Sequence, residues 1–286
     1  MLVVPLLGMA LCGTFILDYC PINWGEAEED ADVTIVSWNT FSMGDNGKNG
    51  KAVVDYLQES GADIFCLQES LCNSEVQQMF YKTFTDEGYQ IYYDEACVLV
   101  SRYPVLSSKR IDAPSYARNG VSAYELLMGE DTITVFNGHL ECNRLTVAEK
   151  SDYEDVLRSP ESTKIKGEAR YLAGRLARAA GYRACQVQAF LTYLDSVPEG
   201  RPTFFCADFN DTPISYAYQQ VKRRMNCAYR AKGKGIGLTY RERHFPIRID
   251  HVFFSDEWEC CEARVDRSID VSDHFPVVVK LKKRSK

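Results

Sequence analysis

The segment that most constrains this chain runs from Thr203 to Asp211 and has the sequence TFFCADFND. Its apolar residues predict a short buried strand that stops at the carboxylate of Asp208, and the amide of Asn210 follows. In an extended chain these two side chains lie on the same side, about 6–7 Å apart. A carboxylate and an amide buried there without partners would be costly. The segment therefore predicts either a functional strand end or a turn with a helix cap at residues 210–213.

Composition limits the class of protein. The 286 residues are 45% hydrophobic, which suffices for one large domain or two small ones. The eleven cysteines show neither the spacing of a zinc ribbon nor a CxxC redox pair. Their odd number and their placement in apolar runs argue against a disulfide framework.

The charge is distributed unevenly. The net charge is −7, so bulk charge does not indicate a protein that binds polyanions. Between Lys222 and Arg248, however, there are nine basic residues, and Glu242 is the single acidic one. This basic segment can steer an anionic ligand towards the protein. A solvated loop and helix face would give the same pattern, and the sequence leaves both interpretations open.

The N-terminus is apolar over residues 2–17, which have the sequence LVVPLLGMALCGTFIL. As a helix this segment would span about 24 Å, short of a bilayer core of about 30 Å. A buried helix, a signal-like segment and the end of a membrane region all fit. Because it lacks an amphipathic stripe, we expect residues 1–19 to contact a membrane and not the core. Residues 20–32 then form an acidic linker, and deleting residues 1–30 should leave the melting temperature nearly unchanged.

Periodicity predicts a mixture of consecutive strands and strand–helix units from Val33 onwards. Strands are predicted at 33–38, 63–68, 89–93, 96–101, 105–111, 121–127, 132–137, 203–207, 247–254, 260–265 and 276–281, and helices at about 51–59, 74–87, 161–197 and 215–225. This mixture favours an α+β layered sandwich over a doubly wound fold.

Polar residues stand at the ends of several predicted strands. They are Asn39, Glu69, His139, Asp208, Asn210, Asp250, His251, Asp273 and His274. Carboxylates such as Glu69, Asp208 and Asp273 offer the hard oxygen ligands that Mg²⁺ prefers. His139 and His274 are two of the four histidines. Beside carboxylates they suggest proton transfer or contacts to a transition state.

The order of these motifs resembles the endonuclease/exonuclease/phosphatase superfamily. The motifs are SWN at Asn39, QE at Glu69, HLE at His139, ADFND at Asp208, IDHVF at Asp250 and SDHFP at Asp273. The resemblance covers residues 33–282 and implies a four-layered α/β sandwich, with two facing mixed β-sheets flanked by helices. It marks residues 33–286 as a catalytic domain related to DNases, neutral sphingomyelinases, inositol polyphosphate 5-phosphatases and deadenylases.

The resemblance also implies roles for single residues. It assigns catalysis to His139, Asp208, Asn210, Asp250 and His274, and Mg²⁺ (or Mn²⁺) binding to Asn39, Glu69 and Asp273. We assign substrate contacts to Arg102, Arg241 and Arg243. Phe41 stands where abasic-site endonucleases carry an acidic residue, which disfavours that activity.

We expect a Mg²⁺-dependent phosphodiesterase, by family a nuclease. The alternative is a phosphatase or phosphodiesterase acting on a lipid head group or a small phosphorylated molecule. A non-catalytic binding module on the same fold is disfavoured because the catalytic set is intact. The N-terminal run is similar to the last hydrophobic segment of membrane-tethered Bacteroidetes-type members. That similarity implies association with a bacterial inner membrane; it leaves the side of the catalytic domain open and favours the extracytoplasmic one. We expect a monomer.

The sequence finally predicts a hydrogen-bonded pair. Asp250 is expected to leave a central strand, and His274 to enter the last one. If the two strands are neighbours, the carboxylate orients the imidazole and raises the pKa of His274. His251 should point to the opposite face of its strand, so that His251→Gln is mild.

Overall fold

The computed structural model describes residues 8, 12–25, 28, 30–95, 97–116, 119–144, 163–241 and 246–284, with only the backbone of 163–169. The strands within these residues are β1 (Val33–Asn39), β2 (Ile64–Gln68), β3 (Gln90–Asp94), β4 (Cys97–Ser101), β5 (Val105–Ile111), β6 (Gly120–Met128), β7 (Asp131–His139), β8 (Thr203–Asp208), β9 (Asn226–Cys227), β10 (Asp250–Phe254), β11 (Trp258–Val265) and β12 (Val277–Lys283). The helices are α1 (Gly13–Tyr19), α2 (Gly50–Ser60), α3 (Ser74–Asp86), α4 (Thr163–Leu194), α5 (Tyr216–Lys222) and α6 (Ala228–Lys232).

These strands form two mixed sheets that face each other. Sheet one has the strand order β11-β12-β1-β2-β4-β3, and sheet two has the order β5-β6-β7-β8-β10-β9. The β1–β2 pair is parallel in sheet one and the β7–β8 pair is parallel in sheet two. The carboxyl ends of the paired strands therefore meet at one edge of each sheet, where side chains from neighbouring strands come close together.

Apolar side chains define four layers. Ile35 and Leu99 from sheet one pack between the sheets with Val135 and Phe204 from sheet two. Residues of α2 and α3, including Leu57 and Phe84, cover the outer face of sheet one. Residues of α4 and α5, including Phe190 and Tyr218, cover the outer face of sheet two. The predicted α+β sandwich of two facing sheets flanked by helices is confirmed.

Local sequence explains where the helices begin and end. The Asn73 side chain accepts a hydrogen bond from the Val76 backbone and caps α3, and Ser215 caps α5 in the same way through Tyr218. Helix α2 ends at Gly61, which has a φ of 59°. Glycine adopts this left-handed conformation without a steric cost.

One strand boundary differs from the prediction in a way that matters for the site. Asp250 is the first residue of β10, directly opposite Asp208 at the end of the antiparallel strand β8. Asp250 therefore enters a strand, whereas the sequence placed it at a strand exit. Ile247 instead bridges to Tyr240 outside the sheet, which interrupts the continuous strand predicted for 247–254.

The described part of the N-terminal segment packs against the domain. Asp18 in α1 is completely buried, and the Nζ atom of Lys222 donates to its Oδ1 at 2.6 Å. Pro21 accepts a hydrogen bond from the backbone of Gly235 at 3.1 Å, and the Asn23 amide donates to Gly233 at 2.6 Å. Residues 1–19 were expected to stay clear of the core, but Asp18 is buried in the domain, and Pro21 and Asn23 of the predicted linker also contact it. Residues 1–7, 9–11, 26, 27 and 29 lie outside the described part.

Among the described residues, none of the helices combines the length and the apolar character needed to cross a bilayer.

Candidate active site

The polar strand ends predicted from the sequence meet at one edge of the sandwich. Asn39 ends β1, and Glu69 follows β2 in the same sheet. In sheet two, His139 and Asp208 end two parallel strands and lie directly opposite each other in register. The two sheets are joined here, because the Asn39 Nδ2 atom donates to Asp208 Oδ2 at 3.0 Å. One cluster therefore combines residues separated by up to 169 positions in the chain.

Asn39 organises the carboxylates of this cluster. Its Nδ2 atom donates to Glu69 Oε1 at 3.2 Å as well as to Asp208, and its Oδ1 accepts from the Phe41 backbone at 3.1 Å. A flipped amide would face its oxygen towards two carboxylates, so the network fixes the orientation. The amide oxygen accepts one hydrogen bond, from Phe41, and keeps a second lone pair, so the assignment of Asn39 to the metal stays a prediction. Through its Nδ2 atom, Asn39 holds two carboxylates at a set distance.

Asp208 is the central group of the site. It is 1% exposed, and the backbone N–H of Asn210 donates to its Oδ1 at 2.8 Å. Burial raises the pKa of Asp208, the Asp250 charge raises it further, and the two imidazoles oppose this shift. Asn210 lies in the left-handed region with a φ of 50°, and its Nδ2 donates to Leu140 at 3.1 Å. The turn after β8 thus folds back onto the carboxylate it follows.

Two imidazoles border the carboxylates. The Nε2 atom of His139 lies 3.5 Å from Glu69 Oε1 and 3.7 Å from Asp208 Oδ2. The Nε2 atom of His274 lies 3.8 Å from the same Asp208 oxygen. The separations from Asp208 are too long for hydrogen bonds. Both ring nitrogens of His139 are buried without a hydrogen-bond partner among the described residues, so this imidazole can contact a substrate oxygen.

His274 is oriented by Asp250. Its Nδ1 atom lies 2.8 Å from Asp250 Oδ2, and both side chains are buried. Burial lowers the pKa of His274, but the negative charges of Asp250 and Asp208 outweigh it and raise the pKa to about 10. The predicted pairing and the direction of the shift are confirmed. His274 is therefore an imidazolium at neutral pH, with Nε2 directed towards Asp208.

His251 follows Asp250 but lies on the opposite face of β10. Its ring contacts Phe209 and Tyr218, with ring centroids 5.2 and 4.8 Å away. Burial, together with the charge of Arg248, holds the pKa of His251 well below its usual range. The expectation that His251 points away from the site is confirmed, and its ring is neutral in the folded protein.

Asp273 completes the acidic side of the site. Its Oδ1 atom is buried and accepts no hydrogen bond from the described residues. Burial raises the pKa of Asp273; the imidazolium of His274 opposes this, and the charges of Glu69 and Asp208 add to it. A carboxylate that lacks donors and lies near two others is costly. A divalent cation would offset this cost, so Glu69, Asp208 and Asp273 fit a hard metal ion.

A second group of ligand-capable atoms overlaps the first. Atoms of Asp208, Asp250 and His274 lie within 4.8 Å of one another. The Nδ1 atom of His274 is already bonded to Asp250, and a hard cation prefers oxygen to imidazole nitrogen. Glu69 and Asp273 line the same pocket as Asp208 and carry further carboxylate oxygens.

The three arginines assigned to substrate binding have different outcomes. Arg102 lies at the opposite end of sheet one, where it pairs with Asp63 just before β2 and covers the Tyr89 ring. Arg102 does not belong to the site, because Asp63 lies before β2 and Glu69 lies after it. The length of the strand therefore separates Arg102 from Glu69. Arg241 does lie at the site, since its backbone N–H donates to Asp273 at 2.9 Å. Arg243 lies outside the described residues.

Most of the basic segment from Lys222 to Arg248 is neutralised locally. Lys222 and Arg230 pair with Asp18, Arg224 pairs with Asp195, and Lys232 pairs with Glu28. Arg248 is 1% exposed and lies over the Tyr229 ring at 4.3 Å. These contacts argue against a segment that mainly steers an anionic ligand. Most of its cations instead hold the N-terminal segment and the end of α4 in place.

The site opens into a pocket of about 250 Å³. Its polar wall contains Asn39, Glu69, Asn143, Arg144, Asp208, Asn210, Asp273 and His274. The facing wall is apolar and contains Phe41, Leu176, Tyr240, Ile247 and Ile249. The pocket has room for one phosphate group and a small neighbouring group, with an apolar surface beside the carboxylates and imidazoles.

The segment after Asn39 has an unusual backbone. Residues 41–47 all have positive φ angles, from 48° at Phe41 to 81° at Gly47. Each non-glycine residue in this left-handed region costs about 1–2 kcal/mol. Hydrogen bonds from Gly44 to Thr40 (2.7 Å) and from Gly47 to Ser42 (2.8 Å), with Met43 buried beneath them, hold the segment. It places the Phe41 ring in the pocket wall, whereas the sequence indicated only a Gly- and Asn-rich loop.

Arg183 is a site residue that the sequence did not reveal. It is 3% exposed, and its Nη2 and Nε atoms contact Asp211 Oδ2 at 2.9 and 3.0 Å. Its Nη1 donates to the Glu141 carbonyl and to Asn143 Oδ1, both at 2.9 Å. Arg183 thereby joins the loop after β7 to the loop after β8. Within the predicted helix 161–197, nothing in the sequence marked Arg183 as a buried residue.

Beneath the site, buried amides join the two sheets. The Gln68 Nε2 atom donates to Asn137 Oδ1 at 2.8 Å. The Asn137 Nδ2 atom donates to the Val98 carbonyl at 3.0 Å. Because both amides are buried, this contact fixes how the strand ends of one sheet lie relative to those of the other. In the sequence, an amide residue within each of two otherwise apolar strands was the sign of this contact.

Comparisons with known proteins agree with this geometry. The sequence model of the Endonuclease/Exonuclease/phosphatase family matches residues 36–274. No curated protein is a significant match to the chain. An endonuclease/exonuclease/phosphatase from Bacteroides vulgatus superposes with a TM-score of 0.66 and 14% identity, covering 89% of this chain and 100% of that one.

Two other solved structures share the architecture. The human Nocturnin catalytic domain with bound sulfate superposes with a TM-score of 0.63 and 18% identity, covering 88% of this chain and 94% of that one. D. rerio TDP2 complexed with single strand DNA product superposes with a TM-score of 0.63 and 14% identity, covering 89% of this chain and 100% of that one. At these identities the likeness shows the fold.

Proposed function

This chain belongs to the endonuclease/exonuclease/phosphatase family, and on that premise we propose that it is a Mg²⁺-dependent phosphodiesterase acting on nucleic acid. Members of this family are phosphoesterase hydrolases. The observation that carries the proposal is the position of Asp208, whose Oδ2 lies 3.7 Å from the His139 imidazole and 3.8 Å from that of His274. A buried carboxylate between two imidazoles suits phosphoryl transfer to water.

Each residue has a task that follows from its surroundings. Asp208 orients the attacking water and accepts its proton, which a raised pKa favours near neutral pH. The His274 imidazolium donates to a phosphoryl oxygen through Nε2, because its Nδ1 is held by Asp250. His139 contacts a second phosphoryl oxygen. Asn39 keeps Glu69 and Asp208 in register between the sheets.

Glu69, Asp208 and Asp273 would hold the cation, with Mg²⁺ expected and Mn²⁺ as the alternative. A bound divalent cation neutralises charge that develops on the phosphoryl oxygens. Asn39 keeps Glu69 and Asp208 at a fixed distance through its Nδ2 atom. This division of roles predicts that the metal requirement depends on Glu69 more than on Asn39.

Nucleic acid is the first substrate to test. The backbone N–H of Arg241 donates to the Asp273 carbonyl, and its guanidinium lies 3.7 Å from the exposed carboxylate of Asp270. A neighbouring phosphate would replace Asp270 as the partner of this cation. The aromatic rings of Phe41 and Tyr240 line the pocket and suit stacking with a base. One solved structure of this fold, D. rerio TDP2, contains a single strand DNA product.

A lipid head group or a small phosphorylated molecule is the second candidate. It is favoured by the apolar pocket wall, where Leu176, Ile247 and Ile249 face the catalytic side chains. An ester with an apolar group beside its phosphate would bury that group there. Among the described residues, the pocket lining carries two cations, Arg144 and the His274 imidazolium. A head group carrying several phosphates would therefore find few partners.

The metal requirement is tested with bis-p-nitrophenyl phosphate, before and after EDTA treatment and with Mg²⁺ restored. Glu69→Gln should lower the rate by at least about 10²-fold with little change in melting temperature, because it removes a cation ligand at the surface of the site. Glu75→Gln, an exposed glutamate in α3, is the matched control. Equal rates with EDTA and with Mg²⁺ would contradict the proposal.

The substrate class is tested by comparing rates on DNA, RNA, sphingomyelin and phosphoinositides at equal Mg²⁺. Highest kcat/KM on DNA or RNA supports the nuclease. Highest kcat/KM on sphingomyelin or phosphoinositides supports the second candidate and overturns the first.

A further inference from the structure

An apolar surface lies where the N-terminal segment meets the domain. Six large hydrophobic side chains on it are exposed, from 43% at Ile16 to 89% at Trp24. They are Phe15, Ile16, Ile22, Trp24, Ile214 and Ile236, and we name this surface the N-terminal face. Soluble proteins rarely expose so many large apolar side chains together unless the surface has a partner.

Hydrogen bonds hold the three segments of the N-terminal face together. The Gln219 amide donates to Asp18 in α1 at 3.0 Å and to the Pro213 carbonyl at 2.7 Å. It thereby places Ile214 beside α1. Pro21 accepts from the backbone of Gly235 at 3.1 Å, which places Ile236 beside Ile22. The segments that carry these side chains, distant in sequence, are therefore in direct contact.

The N-terminal face is rigid because its centre is a buried ion cluster. The Asp18 carboxylate is fully buried and pairs with Lys222 and Arg230, and the Arg248 guanidinium donates to the Asp18 carbonyl. Arg248 is itself 1% exposed. Phe15 and Ile16 are therefore held outward by a helix whose last turn is anchored to the domain.

We propose that the N-terminal face binds the surface of a lipid bilayer. Residues 2–11, directly before this face, contain no charged residue, so the apolar character continues along the chain. Tryptophan is the side chain best suited to the membrane interface, and Trp24 is the most exposed large hydrophobic residue in the described chain. Arg223 and Lys234 are exposed and lie next in the chain to Lys222 and Gly235, which contact the N-terminal segment. These cations suit lipid phosphate groups.

Two segments of the N-terminal face continue into the catalytic site. Ile214 follows the site residue Asn210 by four positions, and Ile236 precedes Tyr240 of the pocket wall by four. The binding itself does not depend on catalysis, so it can be tested in a variant without activity.

Tryptophan fluorescence tests the proposal directly. Of the three tryptophans, Trp38 and Trp258 are 1% and 0% exposed, so Trp24 is the one that can enter a lipid phase. Phosphatidylcholine vesicles should shift its emission to the blue, and the same lipid with brominated acyl chains should quench it. Trp24→Phe should still sediment with vesicles but lose the spectral change.

Variants separate the N-terminal face from the residues before it. Ile22→Ser combined with Ile236→Ser should lower the vesicle-bound fraction at least about 5-fold, since about 1 kcal/mol of apolar burial is lost. Leu106→Ser is the matched control, because Leu106 is 53% exposed on β5 at the other edge of sheet two. Glu69→Gln should bind vesicles as the natural sequence does.

Three results would overturn the proposal. The first is the absence of sedimentation with vesicles. The second is sedimentation without quenching of Trp24, which would mean that residues 1–11 bind alone. The third is self-association of the chain that the Ile22→Ser and Ile236→Ser changes abolish while vesicle binding is unaffected, which would assign the face to a second copy.

Discussion

The Nδ1 atom of His274 lies 2.8 Å from the Oδ2 atom of Asp250, and this hydrogen bond joins the two sheets of the sandwich. Asp250 begins β10 in sheet two, whereas His274 precedes β12 in sheet one. The backbone of each residue is fixed separately. The Thr239 hydroxyl accepts from the Asp250 N–H at 3.1 Å, and the Trp38 indole donates to the His274 carbonyl at 2.9 Å. The imidazole is thus oriented before substrate binds.

Asp250→Asn should lower the rate by about 10²-fold, by analogy with other oriented catalytic histidines. The change keeps the shape of the side chain and removes the charge that most raises the pKa of His274. With a pKa of about 10, His274 stays protonated through neutral pH. In Asp250→Asn the alkaline limb of the pH–rate profile should therefore move to lower pH. The measurement is kcat/KM between pH 6 and 10.5.

The same pair contributes to stability with a defined sign. Because the pKa of His274 is raised on folding, its contribution is fully present below about pH 6.5, the usual pKa of histidine. It is lost as pH rises through the folded value of about 10.

His251→Gln serves as the control for the activity of Asp250→Asn. A larger rate loss from His251→Gln than from Asp250→Asn would contradict the pairing.

The sequence could place the strand ends because buried strands such as β2 and β8 are short apolar runs that stop at a polar residue. It could not place Asp250 correctly, because the pattern of 247–254 is continuous while Ile247 pairs with Tyr240 outside the sheet. The family resemblance assigned Asn39 to the metal. The structure adds that its Nδ2 atom also holds Glu69 and Asp208, which the sequence did not indicate.

The sequence could not predict which distant segments contact each other. Arg183 lies outside the apolar stripe of its helix. Its partners, the Asn143 amide oxygen and the Asp211 carboxylate, come from two loops 40 and 28 residues away. Arg102 is basic and follows a strand, but it follows β4, whose end is remote from the site. Periodicity predicts which face of an element is apolar, not which distant group covers a charge.

His251→Phe should make the protein less sensitive to acid. His251 is neutral when folded, since burial lowers its pKa, and takes up a proton on unfolding below about pH 6.5. The unfolded state then binds more protons than the folded state, so the free energy of unfolding decreases as the pH is lowered. Between pH 7 and 5 this costs up to about 2 kcal/mol, and Phe removes it within a ring cluster of Phe209, Tyr218 and Phe253. Urea unfolding at both pH values measures the effect, and an unchanged difference would contradict it.

Arg183→Lys should lower kcat about 10-fold or more while the metal requirement is unchanged. Lysine keeps the charge but cannot reach Asp211, Asn143 and the Glu141 carbonyl together, so the loop bearing Asn210 shifts. Small displacements of positioning groups have large effects on rate. Arg178→Lys, at an exposed position of the same helix, is the control. Equal kcat values for the two variants would show that Arg183 has no positioning role.

Removing the Asp18 carboxylate should destabilise the domain, contrary to what the sequence alone indicated for residues 1–30. Asp18 is fully buried, and its loss leaves Lys222 and Arg230 without their acidic partner. Breaking a buried pair costs about 3–5 kcal/mol. Lys222 and Arg230 are 28% and 35% exposed and regain some hydration, so Asp18→Ala should cost about 2 kcal/mol. That corresponds to a fall of about 4–8 °C in melting temperature, and deletion of residues 1–30 should lower it at least as far.

Asp55→Ala, which breaks the exposed pair with Lys51, is the control and should change the melting temperature by less than about 2 °C. A deletion variant that melts with the natural chain would mean that the Asp18 cluster does not form.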